Sequence, residues 1–367
     1  MSNDDEEVQQ PPVLKASVND VRHFASLLRG VNFVNRATVT IAKTGFVVIV
    51  EEARTLLGTA YIFANTFDEY TYHSETPPAP KNSQDSDGDD DDNSAFEIPL
   101  NTLIECLNIF GTAGSSGSGA GAGNATGKYK KWKRPGEDSE PEGDDDDRGR
   151  RSSNGGSGAR GIDQYFGNTE KGTGMRMSYA GSGFPLTLLI AEDAAGPTTT
   201  CEITTYEAEP HLQLPFESDQ TVLKIILKSS WLRDALSELD PSCDKLTIIG
   251  NPPPPIVNGK QRQQPRAPPM LRIQAAGTFG STEMDYPNDR DVLETFECTR
   301  HVSFSYRFGH ISRTLRALQS SAKTSLRIDD EGLLSLQFLM PSPKSKTEGA
   351  ADAFIEFRCL ALDDELV

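Results

Sequence analysis

The chain has 367 residues, of which 36% are apolar, and a formal net charge of −18. That length admits two domains. The charge excludes a protein that coats nucleic acid by overall attraction, so any contact with DNA has to come from a local basic face.

Residues 1–12 are acidic and proline-rich, have no signal-peptide core, and are expected to be disordered. Leu14–Val18 reads as a strand. Asn19 or Asp20 then caps a helix running through Gly30, with Val21, Phe24 and Leu28 on one face and Arg22, Ser26 and Arg29 on the other. ATVTIAKTGFVVIVEEA (37–53) reads as two strands turning near Gly45, and GTAYIFANTF and EYTYHSE as two more. Residues 76–95 hold six Asp and one Lys and cannot bury enough surface to offset chain entropy. They are expected to be a disordered insertion, with AFEIP resuming the interrupted sheet.

PLNTLIECLNIFG reads as a second helix, with Pro99 near its first turn, Gly111 past its end, and Leu103, Leu107 and Phe110 on one face. A second insertion, 111–173, rich in Gly, Ser, Asp, Lys and Arg, is likewise expected to be disordered. GMRMSYAG, FPLTLLIAED and TTTCEITTYEAE follow as three strands. AEPHLQLPFESDQ (208–220) has no period and two prolines, which reads as a connector between a domain at 13–207 and another at 221–367.

The plan then restarts. TVLKIIL is a strand, and SSWLRDALSELD a helix with Ser229 or Ser230 as its cap. DKLTIIG and PMLRIQAAG are strands around a proline-rich loop at 251–269. STEMDYPND and ECTRHVSFSYR are two further strands. A last helix is expected over His310–Ala322, with Arg313, Arg316, Ser320 and Lys323 on its polar side. TSLRIDD, GLLSLQFLM and DAFIEFRCLAL close the chain. The unit of helix, strand, glycine turn and strand thus occurs four times. The class is α+β, each half reading β-α-β-β-β-β-α-β-β-β, with helices on one face of each sheet.

Two such halves joined by an extended connector resemble the PCNA-like sliding-clamp fold. FASLLRGVNFVNRATVTIAKTGFVVIVEEA, LNTLIECLNIFG, TVLKIILKSSWLRDALSELD, GTFGSTEMDYPND and GLLSLQFLM are similar to the Rad-one family, a subunit of the checkpoint clamp known as the 9-1-1 ring. The similarity spans nearly all the ordered chain and rests on many segments in order rather than on one chemical motif. It implies a heterotrimeric ring with two paralogous subunits, with sheets outside and helices toward a hole that holds double-stranded DNA. It also implies loading by an ATP-driven clamp loader and recruitment of checkpoint and repair clients in the nucleus, with no cofactor and no membrane.

A helix lining such a hole needs cations toward phosphate and no base readout. The candidates are Arg22, Arg29, Arg233, Arg313, Arg316 and Lys323; for each, a plain solvated helix face remains an alternative. KYKKWKR, with Lys128, Lys130, Lys131, Lys133 and Arg134, is a nuclear-import candidate or a solubilising tract. Leu212, Leu214 and Phe216 alternate along the connector and either staple it to the body or rim a client groove.

GNATGKY departs from the phosphate-loop pattern, so the energy for ring opening is expected from another protein. The five histidines (His23, His73, His211, His301, His310) and five cysteines show no metal-ligand spacing. Glu283, Asp285, Asp289 and Asp291 lie along one turn-rich segment, whereas a metal nuclease needs carboxylates converging from several strands. The expectation is a non-enzyme, with a 3′–5′ exonuclease of the same fold as the alternative.

Overall fold

The computed structural model describes residues 11–75, 93–111, 172–192, 196–253, 269–342 and 352–363. The expected disorder at 1–10, 76–92 and 112–171 and the import candidate at 128–134 lie outside these residues, as does most of the loop at 251–269. The described residues belong to one compact unit.

In the first half, β1 (Leu14–Val18), α1 (Val21–Gly30), β2 (Arg36–Ala42), β3 (Gly45–Glu52), β4 (Leu56–Phe63), β5 (Glu69–Tyr72) and β6 (Asn93–Pro99) lead to α2 (Leu100–Leu107). The strands β7 (Gly174–Tyr179), β8 (Leu186–Ala191) and β9 (Thr198–Ile203) follow. A short β10 (Tyr206–Glu207) precedes the connector. The second half repeats the order: β11 (Thr221–Lys228), α3 (Ser229–Ser237), β12 (Cys243–Gly250), β13 (Leu271–Gly277), β14 (Gly280–Tyr286), β15 (Leu293–Cys298), β16 (Val302–Arg307). Then come α4 (Phe308–Arg313), α5 (Leu315–Ser320), β17 (Lys323–Asp329), β18 (Leu334–Met340) and β19 (Ala353–Cys359).

Five strands, not four, separate the helices of each half. AFEIP does not resume the sheet of EYTYHSE: β5 pairs with β1, whereas β6 pairs with β2 in a different sheet. ECTRHVSFSYR likewise splits into β15, which pairs with β11, and β16, which pairs with β12. Asn93–Ala95 belong to β6, so the first insertion ends before them. Thr173 is fully buried and its carbonyl accepts the Val21 N–H at 2.9 Å, so the second insertion also ends earlier than expected.

The sheets have the orders β5-β1-β7-β8-β9, β10-β6-β2-β3-β4-β19-β18-β17-β11-β15 and β14-β13-β12-β16. The repeat is exact in topology. β5-β1-β7-β8-β9 corresponds to β15-β11-β17-β18-β19, and β6-β2-β3-β4 to β16-β12-β13-β14. The halves fuse where β4 pairs antiparallel with β19, from Phe354↔Tyr61 to Cys359↔Leu56. Tyr61 stacks on Phe354 across this seam, with ring centroids 4.4 Å apart.

Helices cover one face. α1 lies over the seam against β4 and β19, flanked by α2 and α5, and α3 packs on the far side of α5. The Asp20 carboxylate accepts the Arg22 N–H at 2.9 Å and caps α1, while Val21, Phe24, Ala25, Leu27 and Leu28 are buried. Gly30 permits a close approach: a Cβ there would stand 2.3 Å from Ile355 Cδ1, so any other residue would require the Ile355 side chain to shift. Ser229 does not cap α3; its hydroxyl is within 2.7 Å of Ser321 Oγ and 2.8 Å of Thr324 Oγ1. The last helix starts at Phe308, ahead of the expected His310, and breaks at Thr314, whose N–H and hydroxyl both turn back to the Ile311 carbonyl, at 3.0 and 2.7 Å.

Neighbouring residues of a strand face opposite ways. Leu56 joins the main core, whereas Leu57 forms a separate cluster with Leu214 of the connector and Leu333. The connector therefore crosses the face opposite the helices.

In the β3–β4 turn, Ala53 and Arg54 both hold positive φ, at 53° and 54°, a region that costs L-residues about 1–2 kcal/mol each. Asn-Gly is the pair such turns favour. The double variant Ala53→Asn/Arg54→Gly is expected to gain about 1 kcal/mol, read as a higher urea midpoint. An unchanged or lower midpoint contradicts this account of the turn.

Candidate functional site

The cations expected on the helix faces mostly have partners. Arg22 pairs with Asp20 at 2.8 Å, Arg233 with Asp234 at 2.9 Å, and Arg313 with Glu52 at the end of β3 at 3.0 Å. Arg316 donates to the Asn32 carbonyl at 3.1 Å. Arg29 is half-buried, and that burial lowers its pKa. Lys323 is not on a helix: it opens β17, and its Nζ lies 2.7 Å from Glu294 of β15. The break at Thr314 and the strand start after Ala322 remove it from the face that a continuous helix would have given it.

Arg22 and Arg29 on α1 and Arg313 and Arg316 on α4 and α5 occupy adjoining helices, which Ser26 Oγ and Ser320 Oγ join at 3.3 Å. Arg233 stands on α3, beyond α5. An arginine already held by a carboxylate gives up part of its attraction for phosphate.

On the opposite face the connector is fastened along its length. Leu214 is buried against Leu57 and Leu333, and Leu212 and Phe216 pack partly buried beside them with Ile49. The Leu212 N–H donates to Glu51 at 2.6 Å, and Arg358 Nη1 donates to the Leu214 carbonyl at 2.6 Å. The Arg327 guanidinium sits 4.7 Å from the Phe216 ring centroid, a cation–π distance. Beneath lies Glu356, its side chain 3% exposed. It accepts from Arg358 at 2.9 Å, Ser335 at 2.8 Å, and Arg327 and Gln337 at 3.3 Å each.

Beside the connector is a cleft of about 540 Å³ between Leu214, Pro215, Phe304, Leu333 and Leu360. Glu217, Glu331 and Asp363 also line it, and no Lys or Arg does among the described residues. Of the three connector residues read as rimming a groove, Leu214 lines this cleft and Leu212 and Phe216 do not; its other walls come from the β17–β18 turn and the segment after β19, which sequence reading did not bring together.

The four carboxylates weighed for nuclease chemistry do not converge. Arg272 bridges Glu283 at 3.0 Å and Asp285 at 2.6 Å across the β13–β14 pair. Asp289 instead accepts the backbone N–H of Asp291 at 2.9 Å.

Comparison with known proteins decides the family. The family model described as Repair protein Rad1/Rec1/Rad17 matches residues 13–340. The chain belongs to the Rad1/Rec1/Rad17 family. Among similar proteins is the human cell cycle checkpoint protein RAD1, 28% identical over 94% of this chain and 90% of that one. The DNA damage checkpoint control protein rad1 of Schizosaccharomyces pombe is 27% identical over 94% and 84%. The DNA repair exonuclease REC1 of Mycosarcoma maydis is 29% identical over 95% and 96%. The resemblance read from the sequence therefore holds: this Rad1-family chain is a checkpoint-clamp subunit of the DNA-damage response and works in a complex with other subunits.

Removing the one carboxylate between two partly buried guanidinium groups leaves both uncompensated. Glu356→Gln is expected to cost about 3 kcal/mol, read as a lower urea midpoint, with faster proteolysis within 208–220. A parental midpoint with a parental cleavage rate contradicts the view that this cluster anchors the connector.

Proposed function

We propose that this Rad1-family chain is one of three different subunits of a ring that encircles duplex DNA in the nucleus, opened by an ATP-driven loader, and that it works without catalytic residues. The observation that supports this best is the fate of the repeat-equivalent strands. Within the chain, β4 of the first half pairs with β19 of the second. Their counterparts, β14 and β9, end their sheets with one side unpaired among the described residues. An open edge is a template for another chain, and repeating the β4–β19 joint between molecules adds subunits edge to edge. Large apolar side chains flank both edges: Trp231 and Phe279, 46% and 84% exposed, beside β14, and Ile109, 49% exposed, beside β9.

The edges carry Glu202 on one side and Glu283 and Asp285 on the other, with Arg272 as the nearby cation. Two edges of the same sign favour different neighbours over further copies of this chain. In such a ring the row α2–α1–α5–α3 faces the hole, and Arg22, Arg29, Arg233, Arg313 and Arg316 meet phosphate weakly, which suits a sliding contact. The basic run at 128–134 supports nuclear entry. The connector face, with Leu212, Leu214 and Phe216 fastened down and the acid-lined cleft beside them, is the client surface. It fits a peptide with an apolar anchor and basic flanks.

The 3′–5′ exonuclease reading is motivated by the name of the Mycosarcoma maydis relative. In this chain Arg272 pairs with two of the four carboxylates such a reading would use, Glu283 and Asp285. Purified protein with Mg²⁺ or Mn²⁺ is expected to leave single- and double-stranded DNA intact; degradation that disappears in Asp285→Asn would establish the enzyme.

Mass photometry is expected to show the 40.0 kDa chain as a monomer that forms a one-each trimer with two paralogous subunits. A homotrimer of this chain contradicts the proposal. Replacing Arg22, Arg29 and Arg316 with Ala is expected to shorten the residence of the assembled ring on end-blocked DNA and to flatten its salt dependence by about 0.9 in log–log slope per lost phosphate contact. Parental residence at both low and high salt would mean that these helices face away from DNA.

A further inference from the structure

The first half contains a second cleft, of about 580 Å³, walled by Val34, Ile98, Pro99 and Tyr206. It sits between β6 and the segment that follows β9, where β10 pairs with β6 through Tyr206↔Glu97. The cleft beside the connector has the corresponding place in the second half. The segment after β19 binds β16, with the Leu362 N–H donating to the Ser305 carbonyl at 2.7 Å, and β6 and β16 are repeat counterparts, as are β9 and β19. The internal repeat has thus produced two clefts at related positions, and the first-half one lies on different residues from the client surface described above.

Its chemistry is specific. The walls are apolar, and Tyr206 is 58% exposed although it is large and aromatic. The rim is acidic: Glu209 is held by Arg36, which also pairs with the buried Glu97, and Glu207 adds a further carboxylate. β10 also ends its sheet, so the outer backbone groups at Tyr206–Glu207 are open to an added strand among the described residues.

We propose that this cleft is a second peptide-docking site, taking an extended partner segment with an aromatic anchor flanked by lysine or arginine. The anchor fills the space between Ile98, Pro99 and Tyr206, the flanking cations meet Glu207 and Glu209, and the peptide backbone runs along β10. The argument extends the client reading of the connector cleft to the other half of the chain, and its test separates the two.

The probe is a fluorescein-labelled hexapeptide of two phenylalanines with two lysines on either side, titrated with the full chain and read by fluorescence anisotropy. A control peptide carries alanines in place of the phenylalanines. Saturable binding is expected, weakened about tenfold by Tyr206→Ala and by Glu207→Lys, both at exposed positions. The control peptide is expected to show no dependence on Tyr206. Glu331→Lys, in the connector cleft, is expected to change the affinity less than about twofold. Thermal melts of each variant confirm that it is folded. The proposal is overturned by absence of saturable binding, by binding indifferent to both first-half substitutions, or by binding lost in Glu331→Lys instead. The last result would leave the connector cleft as a client site while removing the first-half one.

Discussion

The backbone pairing of β4 with β19 is the constraint on which the rest of the molecule depends. It joins strands nearly 300 residues apart in sequence and makes one ten-stranded sheet out of two repeats. Ladder hydrogen bonds supply continuity, and Tyr61 stacked on Phe354 supplies cross-strand packing. α1 lies across the joint, with Gly30 closely packed against the Ile355 side chain. The same joint leaves β9 and β14 each with one side unpaired at the two far ends, among the described residues. Internal closure and external openness are consequences of one repeat.

The sheet then separates two chemistries. The helix side carries Arg22, Arg29, Arg233, Arg313 and Arg316, three of them paired with Asp20, Asp234 and Glu52. The outer side is an ordered polar cluster around Glu356, with the connector tied over it through Arg358, Arg327 and Glu51. A charge cluster this buried does little for net stability compared with an apolar filling. It does fix where the connector runs, and so it fixes the shape of the cleft beside it.

Much of the fold was legible in the sequence because its signals are local. Asp20 before an amphipathic run marks α1, and Gly45 and Gly332 mark the β2–β3 and β17–β18 turns. Non-local choices were not legible. Nothing in AFEIP says that it leaves the sheet of β5 for that of β2, and ECTRHVSFSYR carries no strong breaker where β15 passes to β16. The break at Thr314 depends on one hydroxyl turning back to Ile311, which moved Lys323 from helix to strand. Arg22 and Arg313 follow from helical spacing, but their carboxylate partners, Asp20 before α1 and Glu52 at the end of β3, do not. The connector groove was legible only through Leu214, and the first-half cleft not at all, because each is assembled from segments far apart in the chain.

Amide hydrogen exchange tests the central claim most directly, comparing the chain alone with the chain in complex with the other subunits of the clamp. The account predicts that β4 and β19 are protected in both states, whereas β9 and β14 exchange readily alone and become protected on assembly. Protection of β9 and β14 unchanged by the partners, or fast exchange at β4 and β19, would contradict it.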